Sequence, residues 1–344
     1  MNHSVSSLFG APIPESKILA ALQKKPDVLE QFRQFSEEDR SRILAFLAGE
    51  RSLQILSDRF FKQILNPEST PERLESLLSA VFGQKVTIAG IISREEMQIT
   101  ETGSQVIMDI VVRLQDGALV NVEMQRVGYL FPGQRTSCYL SDLIMKQYDV
   151  VRSEKKDRFS YKDLCPVTIL VIMDRSSEEF RDVRPEYIHR QQVSYTSGAR
   201  VETLENVIYI SLDTFQEMAE NEIGNDLDAW LTFFCYDDSE HVLRLVSAHP
   251  EFIPMYQDIA NFRKTPEEVI GMFSEALRIM DRNTTKYMFE QLQERVTEQA
   301  EQIAEQAEQM AEQEKKHQQE IAAAQEEIRL LREQLAARKK MDIE

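Results

Sequence analysis

The chain has 344 residues, 42% of them hydrophobic, and a formal net charge of −18. Its length suits one large or two ordinary domains, and its apolar share is enough for a sizeable core, which excludes a disordered chain. The negative charge excludes a generally basic, nonspecific nucleic-acid-binding surface. The longest apolar run, Cys165–Met173, is too short for a membrane span, and the start does not resemble an export signal. The sequence therefore predicts a cytoplasmic protein without membrane segments.

The cysteines and histidines do not form a metal-binding pattern. Cys138, Cys165 and Cys235 are odd in number and far apart, which fits neither a disulfide framework nor a zinc site. No two histidines are spaced at i, i+4. We therefore expect free thiols in a reducing compartment and no histidine metal site.

Residues 1–66 are predicted to form a helical segment. Ser36 precedes a run of acidic residues as an N-cap would, and apolar residues at helical spacing follow. The next helix is predicted to have Thr70 as its N-cap and Pro71 at its first position, and to end at Gly83.

Residues 67–215 are predicted to form an α/β core in the order helix, three strands, helix, strand. The strands are expected at 86–92, in a hairpin over 105–125 and at 166–173, with the second helix at 134–149. The stretch NVIYISLD predicts one more strand. Residues 216–289 are expected to add the helices that complete the globular part.

Residues 290–344 carry one continuous heptad register, whose apolar seam is interrupted at Glu314 and His317. Position a holds Val296, Ile303, Met310, Ala324 and Leu331, and position d holds Ala300, Ala307, Ile321, Ile328 and Leu335. This pattern predicts a C-terminal coiled coil that forms a homo-oligomer, and a single solvated helix is the alternative. The alanine layers would be weak, so stability would depend on the isoleucine and leucine layers.

The stretch DIVVRLQDGALVNVEMQ, residues 109–125, predicts a hairpin whose register follows from burial. A one-residue slip would turn every side chain to the other face. A three-residue loop with Gly117 in the left-handed conformation pairs 110 with 122 and 112 with 120, so the apolar residues share a face. Asp109 then lies opposite Glu123, and Gln125 points from the same face, with β-carbons about 5–8 Å apart.

Two facing carboxylates repel each other, and a hard divalent cation with oxygen ligands is the usual solution. Asp109 and Glu123 are therefore candidate ligands for Mg²⁺ or Mn²⁺. Gln125 is a candidate to hold an attacking water or a phosphate oxygen, which predicts metal-assisted phosphodiester hydrolysis. The residues alone leave a second interpretation open, in which the hairpin has a solvated polar face.

Several stretches together resemble the PD-(D/E)xK nuclease superfamily, and within it the group of recombination-promoting nucleases and transposases. They are SDRFFKQILNPESTPERLE, MDIVVRLQDGALVNVEMQ, FPGQRTSCYLSDLIMKQY, PVTILVIM and DAWLTFF. The resemblance implies a restriction-endonuclease-like core in which Asp109 and Glu123 bind Mg²⁺ and Gln125 occupies the place of the motif's lysine. It also implies an assisting glutamate on the preceding helix, for which Glu75 and the alternative Glu72 are candidates.

The chain departs from the motif at two positions. Met108 replaces its proline, which removes no side-chain chemistry. Gln125 replaces its lysine, which keeps hydrogen bonding but loses a positive charge that would stabilise the transition state.

A basic stretch follows the hairpin, with a local net charge of +4 over residues 126–162. Arg135, Tyr139, Asp142 and Lys146 recur on one helix face. Either this is a solvent face, or Arg135 and Lys146 approach the DNA backbone, as the resemblance suggests. Lys155, Lys156 and Arg158 would then extend the track of phosphate contacts.

Two functions from different classes remain open. The first is a Mg²⁺- or Mn²⁺-dependent DNA endonuclease, oligomerised by its coiled coil and active in recombination or transposon-related DNA processing. The second is a catalytically inactive nuclease fold that acts as a coiled-coil-mediated binding or scaffold protein. RNA or branched DNA is a further possible substrate of the first.

Overall fold

The computed structural model describes residues 8–53, 58–92, 109–127, 132–218 and 223–274, and parts of a helix at 296–297, 299–300, 302–313, 315–317 and 321. The chain divides into two compact units, Met1–Thr284 and Thr285–Glu344. In the described part of the chain, no helix is long and apolar enough to cross a membrane. All three cysteines are free thiols.

Helices form the N-terminal part of the first unit, as the sequence predicts. They are α1 (Glu15–Gln23), α2 (Pro26–Gln34), α3 (Glu37–Ala48), α4 (Asp58–Ile64) and α5 (Pro71–Phe82). Ser36 caps α3 by accepting a hydrogen bond from the Asp39 N–H at 3.1 Å. Pro71 opens α5 and Gly83 ends it in the left-handed conformation, which confirms both predictions. Thr70 is the N-cap residue, but its hydroxyl donates to the Asn66 carbonyl instead.

The described residues next form a six-stranded mixed sheet, with strand order β1-β2-β3-β4-β6-β5. Its strands are β1 (Ile88–Ile91), β2 (Ile110–Leu114), β3 (Leu119–Val127), β4 (Val167–Arg175), β5 (Ile188–Arg190) and β6 (Glu205–Ser211). The first three strands form an antiparallel meander, and β3, β4 and β6 run parallel. The observed fold is thus mixed α/β, and β5 is a strand that the sequence analysis did not predict.

The hairpin has the predicted register. Ile110 pairs with Val122 and Val112 pairs with Val120. Gly117 has φ +89°, in the left-handed region that a three-residue loop requires. The alternation of apolar residues was therefore sufficient to predict which side chains share a face.

Helices cover both faces of the sheet. Helix α6 (Pro132–Lys155) is longer than predicted and packs Tyr139, Leu140 and Leu143 against one face. The other face joins a larger core with residues from α1 to the C-terminal helices. The short helix α7 (Glu178–Arg181) packs Phe180 into the same cluster as α6. The later helices of the larger core are α8 (Leu212–Met218), α9 (Asp226–Cys235), α10 (Ser239–Ala248) and α11 (Ile253–Asn261). The buried core therefore extends across the predicted segment boundaries at 66 and 215, which stay predictions.

In the second unit, the described residues around 296–317 are helical. The residues at heptad position a are exposed in the single chain, namely Val296 (63%), Ile303 (66%) and Met310 (70%). A stripe of exposed apolar side chains is what a coiled-coil seam presents before its partner is added. The coiled coil itself stays a prediction, and residues 322–344 lie outside the described part.

Candidate active site

The acidic residues of the hairpin lie on the sheet face that α6 covers. Asn121 and Glu123 alternate with the buried apolar residues of β3, and Glu123 is level with Val171 of β4. Because neighbouring strands present aligned residues on the same face, Glu123 projects toward the layer of α6. Asp109 lies immediately before β2, at the position opposite Glu123 that the register predicts.

Hydrogen bonds join the two acidic residues. The Asp109 N–H donates to Oε1 of Glu123 at 3.1 Å, and the Met124 N–H donates to Oδ2 of Asp109 at 3.1 Å. Each carboxylate is thus oriented by the backbone of the opposite strand. The side chain of Asp109 is 13% exposed and Glu123 is 4% exposed, so neither charge is well solvated.

Burial of Glu123 determines the electrostatics of the site. Desolvation, followed by the nearby charge of Asp109, raises the pKa of Glu123 to about 8. The Asn121 amide, which donates to Oε1 of Glu123 at 2.9 Å, and the Arg135 guanidinium act in the opposite direction on this pKa. A buried acid with a raised pKa beside a second acid is a pair that a cation would stabilise.

The donor set fits a hard divalent cation. It consists of the two carboxylates and Oδ1 of Asn121. Asn121 is fully buried, and its Oδ1 has no hydrogen-bond partner among the described residues. Carboxylate and amide oxygens are the ligands that Mg²⁺ and Mn²⁺ take in proteins. Asn121 was not among the predicted site residues, although its position two residues before Glu123 places it on the same face of the strand.

Lys62 is the functional candidate that the sequence reasoning missed. It lies on α4, and its Nζ is 2.9 Å from Oδ1 of Asp109. Phe60, Phe61 and Ile64 of the same helix are buried in the larger core, which holds α4 against the fold. A positive charge therefore lies beside the acidic pair, although Gln125 has none.

The two remaining predicted catalytic residues have different surroundings. Gln125 is half-buried, is level with Met173, and is two residues after Glu123 on the same face. Glu75 on α5 accepts a hydrogen bond from the Ile88 N–H at 2.8 Å, so it anchors the start of β1. Its part in metal binding stays a prediction.

Arg135 and Lys146 lie on α6 in different environments. Arg135 lies over the Tyr139 ring at 5.1 Å and is close enough to Glu123 to affect its pKa. Lys146 pairs with Asp142 at 2.6 Å, one helical turn away. Of these two predicted DNA contacts, the structure therefore brings Arg135 to the acidic pair.

The predicted basic track continues beyond α6. Lys155 pairs with Asp163 at 2.5 Å, and Lys156 and Arg158 are exposed in the short helix Lys156–Arg158. Tyr148, in the later part of α6, is thirteen helical steps from Arg135, which corresponds to roughly 20 Å.

A second acidic group lies elsewhere in the fold. Asp226, His249 and Glu251 have potential ligand atoms within 4.8 Å of one another. Both carboxylates are exposed, and His249 already contacts Glu251 at 2.9 Å. Exposed acidic groups often gather without an ion, so we assign no function to this cluster.

A mixed sheet with an acidic hairpin, followed by a covering helix and a parallel strand, defines a nuclease-like α/β protein. The chain belongs to the PD-(D/E)XK nuclease family transposases, whose profile matches residues 55–288. This match confirms the family resemblance and covers about two thirds of the 344 residues. Searches of curated proteins and of solved structures return no significant match.

Proposed function

We propose that this chain is a divalent-cation-dependent DNA endonuclease with its active site at Asp109 and Glu123. The observation that carries the proposal is the burial of Glu123 directly against Asp109, where a cation would relieve their repulsion. Membership in a nuclease and transposase family supports phosphodiester hydrolysis as the reaction and DNA as the substrate. Recombination or transposon-related processing is the context that this family suggests.

Asp109 and Glu123 would hold Mg²⁺ or Mn²⁺, which when bound would stabilise negative charge on the phosphate as a Lewis acid. The Asn121 amide and the Met124 N–H keep the two carboxylates oriented. Gln125 offers an amide that can position the attacking water or a phosphate oxygen by hydrogen bonding. Glu75 would assist from α5 through the start of β1, to which it is bonded.

Lys62 would supply the positive charge that Gln125 lacks. Its ammonium group is already 2.9 Å from an Asp109 oxygen, so it needs only a small displacement to approach a phosphate at the same site. A fixed cation that faces developing negative charge is a large contribution to catalysis in a water-poor site. Lys62 would therefore compensate for the absence of the motif's lysine, whose position is occupied by Gln125.

DNA would approach along α6. Arg135 is the candidate for the phosphate nearest the acidic pair, because its charge acts on Glu123. Lys146 and Lys155 would exchange their intramolecular partners for phosphates, and Lys156 and Arg158 are exposed for contact. A homo-oligomer formed by the C-terminal heptads would allow two active sites to act on the two strands of DNA.

The alternative is a nuclease fold that binds DNA or protein without cleaving. Gln125 in the lysine position and the acidic overall charge are the observations that favour it. RNA and branched DNA are alternative substrates within the first proposal.

The test is cleavage of supercoiled plasmid by the full-length protein with Mg²⁺ or Mn²⁺. We expect cleavage by wild type, loss in Asp109→Ala and Glu123→Ala, and retention in the exposed controls Asp27→Ala and Glu30→Ala on α2. Cleavage that survives in both hairpin variants would refute the site. No cleavage of linear, supercoiled or branched DNA by folded wild type would support the binding protein instead.

A further inference from the structure

A groove of about 660 Å³ lies between the first turns of α6 and the β5–β6 edge of the sheet. Its aromatic wall is formed by Phe180, His189 and Tyr209, and its polar side chains include Gln134, Ser137 and Gln191. The Phe180 ring centroid is 4.7 Å from the His189 ring and 4.7 Å from the Tyr209 ring. The volume is within the range of small-molecule sites, roughly 300–1,000 Å³.

The groove and the acidic pair lie on the same lateral row of the sheet. Glu123 is level with Val171, Val171 with Tyr209, and Tyr209 with His189. Because adjacent strands are about 4.8 Å apart, Tyr209 is roughly 10 Å from Glu123 and on the same face. Helix α6 connects the two places, since Arg135 acts on Glu123 and the neighbouring Thr136 is hydrogen-bonded to the Tyr209 hydroxyl at 2.8 Å.

The chemistry of the groove fits a nucleobase better than a phosphate. Its exposed uncharged polar groups are the amides of Gln134 and Gln191 and two serine hydroxyls, which can recognise base edges, and its wall is aromatic. Arg190 also lines it, but its guanidinium donates to the Val81 carbonyl. Desolvation lowers the pKa of His189, which favours a neutral ring that stacks without attracting an anion. Glu205 would further disfavour a phosphate.

A base within a duplex cannot offer its face to a protein ring, because both its faces are stacked on neighbouring bases. An occupant of this aromatic wall must therefore be unpaired. Ten ångströms along a stacked strand correspond to about three nucleotides, and to fewer when the strand is unstacked.

We propose that this groove binds one unpaired nucleobase of the substrate strand, about three nucleotides or fewer from the phosphate at Asp109 and Glu123. The inference rests on the proposed nuclease function and refines its substrate. The favoured substrate is DNA with a single-stranded flank or a branch beside the cleavage point, with the base stacked on Phe180 and His189.

The test compares binding of a blunt duplex with binding of the same duplex carrying a short 5′ or 3′ single-stranded flank. The full-length protein is used with Ca²⁺ to suppress cleavage, and 2-aminopurine in the flank reports stacking by fluorescence quenching. We expect flanked DNA to bind at least about five-fold more tightly than blunt DNA, with quenching. Phe180→Ala and His189→Ala should lose this preference, while Phe180→Trp keeps it.

The matched control is Tyr161→Ala, which removes an aromatic residue that is 74% exposed beyond the far end of α6. Gln191→Ala tests the polar rim without altering the half-buried aromatic wall. Equal binding and equal cleavage of blunt and flanked DNA by wild type would overturn this inference while leaving the nuclease intact. Free deoxynucleotide that competes as strongly as flanked DNA would also overturn it. Absence of both DNA binding and cleavage would overturn the proposed function as well.

Discussion

Lys62 lies beside the acidic pair at a distance typical of a charge-assisted hydrogen bond. Sequence spacing could not reveal it, because α4 and the hairpin meet only in the folded chain. The motif's lysine position is occupied by glutamine, whereas the charge approaches from a different element. The sequence pattern of the hairpin therefore predicted the acidic residues but not the lysine that lies beside them.

Lys62→Ala should reduce the cleavage rate about 10²-fold or more, because it removes a fixed cation from the place where negative charge develops. Lys62→Arg should retain part of the activity. The control is Lys85→Ala, which changes an exposed lysine. Single-turnover kinetics on folded variants measures the effect. A wild-type rate for Lys62→Ala would contradict this role, because the developing negative charge would then be stabilised by another group.

Glu123 should make the stability of the metal-free protein depend on pH. Its pKa is raised from 4.5 to about 8 in the folded chain, so the folded state retains a proton that the unfolded state loses. The free energy of unfolding should therefore fall as pH rises from about 4.5 to about 8, by at most about 1.4 kcal/mol per pH unit from this group.

Glu123→Gln should remove that part of the pH dependence, and Glu154→Gln should leave it unchanged. Urea denaturation in the presence of a chelator, at pH values on either side of this window, measures the difference. Identical pH profiles for wild type and Glu123→Gln would contradict the raised pKa.

At the level of elements, the hairpin was predictable and the sheet edge was not. Alternating valines and isoleucines, together with Gly117, determine the register, because only one pairing buries both apolar sets. Strand β5 is only Ile188–Arg190, contains His and Arg, and pairs at the edge with β6. Such a short polar segment has no periodicity of its own, so the groove beside it could not be predicted from sequence.

Gly117→Ala should destabilise the hairpin more than an ordinary left-handed glycine substitution. A Cβ at Gly117 would lie 2.7 Å from Sγ of Cys165, whereas a Cβ at Gly83, also left-handed, would meet nothing within 4 Å. Both variants should lose about 1–2 kcal/mol for the backbone conformation, and only Gly117→Ala should lose more.

The cysteine contact can be tested in a second background. In a Cys165→Ala background, Gly117→Ala and Gly83→Ala should lower the free energy of unfolding by similar amounts, because the sulfur that crowds the Gly117 Cβ has been removed. Chemical denaturation gives the free energies of unfolding. Equal losses of unfolding free energy for the two glycine variants in the protein that retains Cys165 would show that the loop accommodates a Cβ without strain.

For the whole molecule, the heptads of residues 290–344 predict that several copies of the chain associate through a coiled coil. Val296, Ile303 and Met310 leave an apolar stripe in water, which is unfavourable unless a partner covers it. We expect the full-length protein to sediment as an oligomer and a chain truncated after residue 289 to sediment as a monomer. Ile303→Asp should weaken assembly, whereas the exposed control Gln309→Asp should not. A monomeric full-length protein would contradict the coiled coil.

The proposed nuclease activity depends on the binding of a divalent cation by Asp109 and Glu123. Titration calorimetry with Mg²⁺ and Mn²⁺ tests this binding without depending on DNA or on turnover. We expect wild type and Glu154→Gln to bind the ion, and we expect that binding to be lost in Asp109→Asn and Glu123→Gln. Unchanged binding in both hairpin variants would contradict this assignment, because the ion would then be held by other residues.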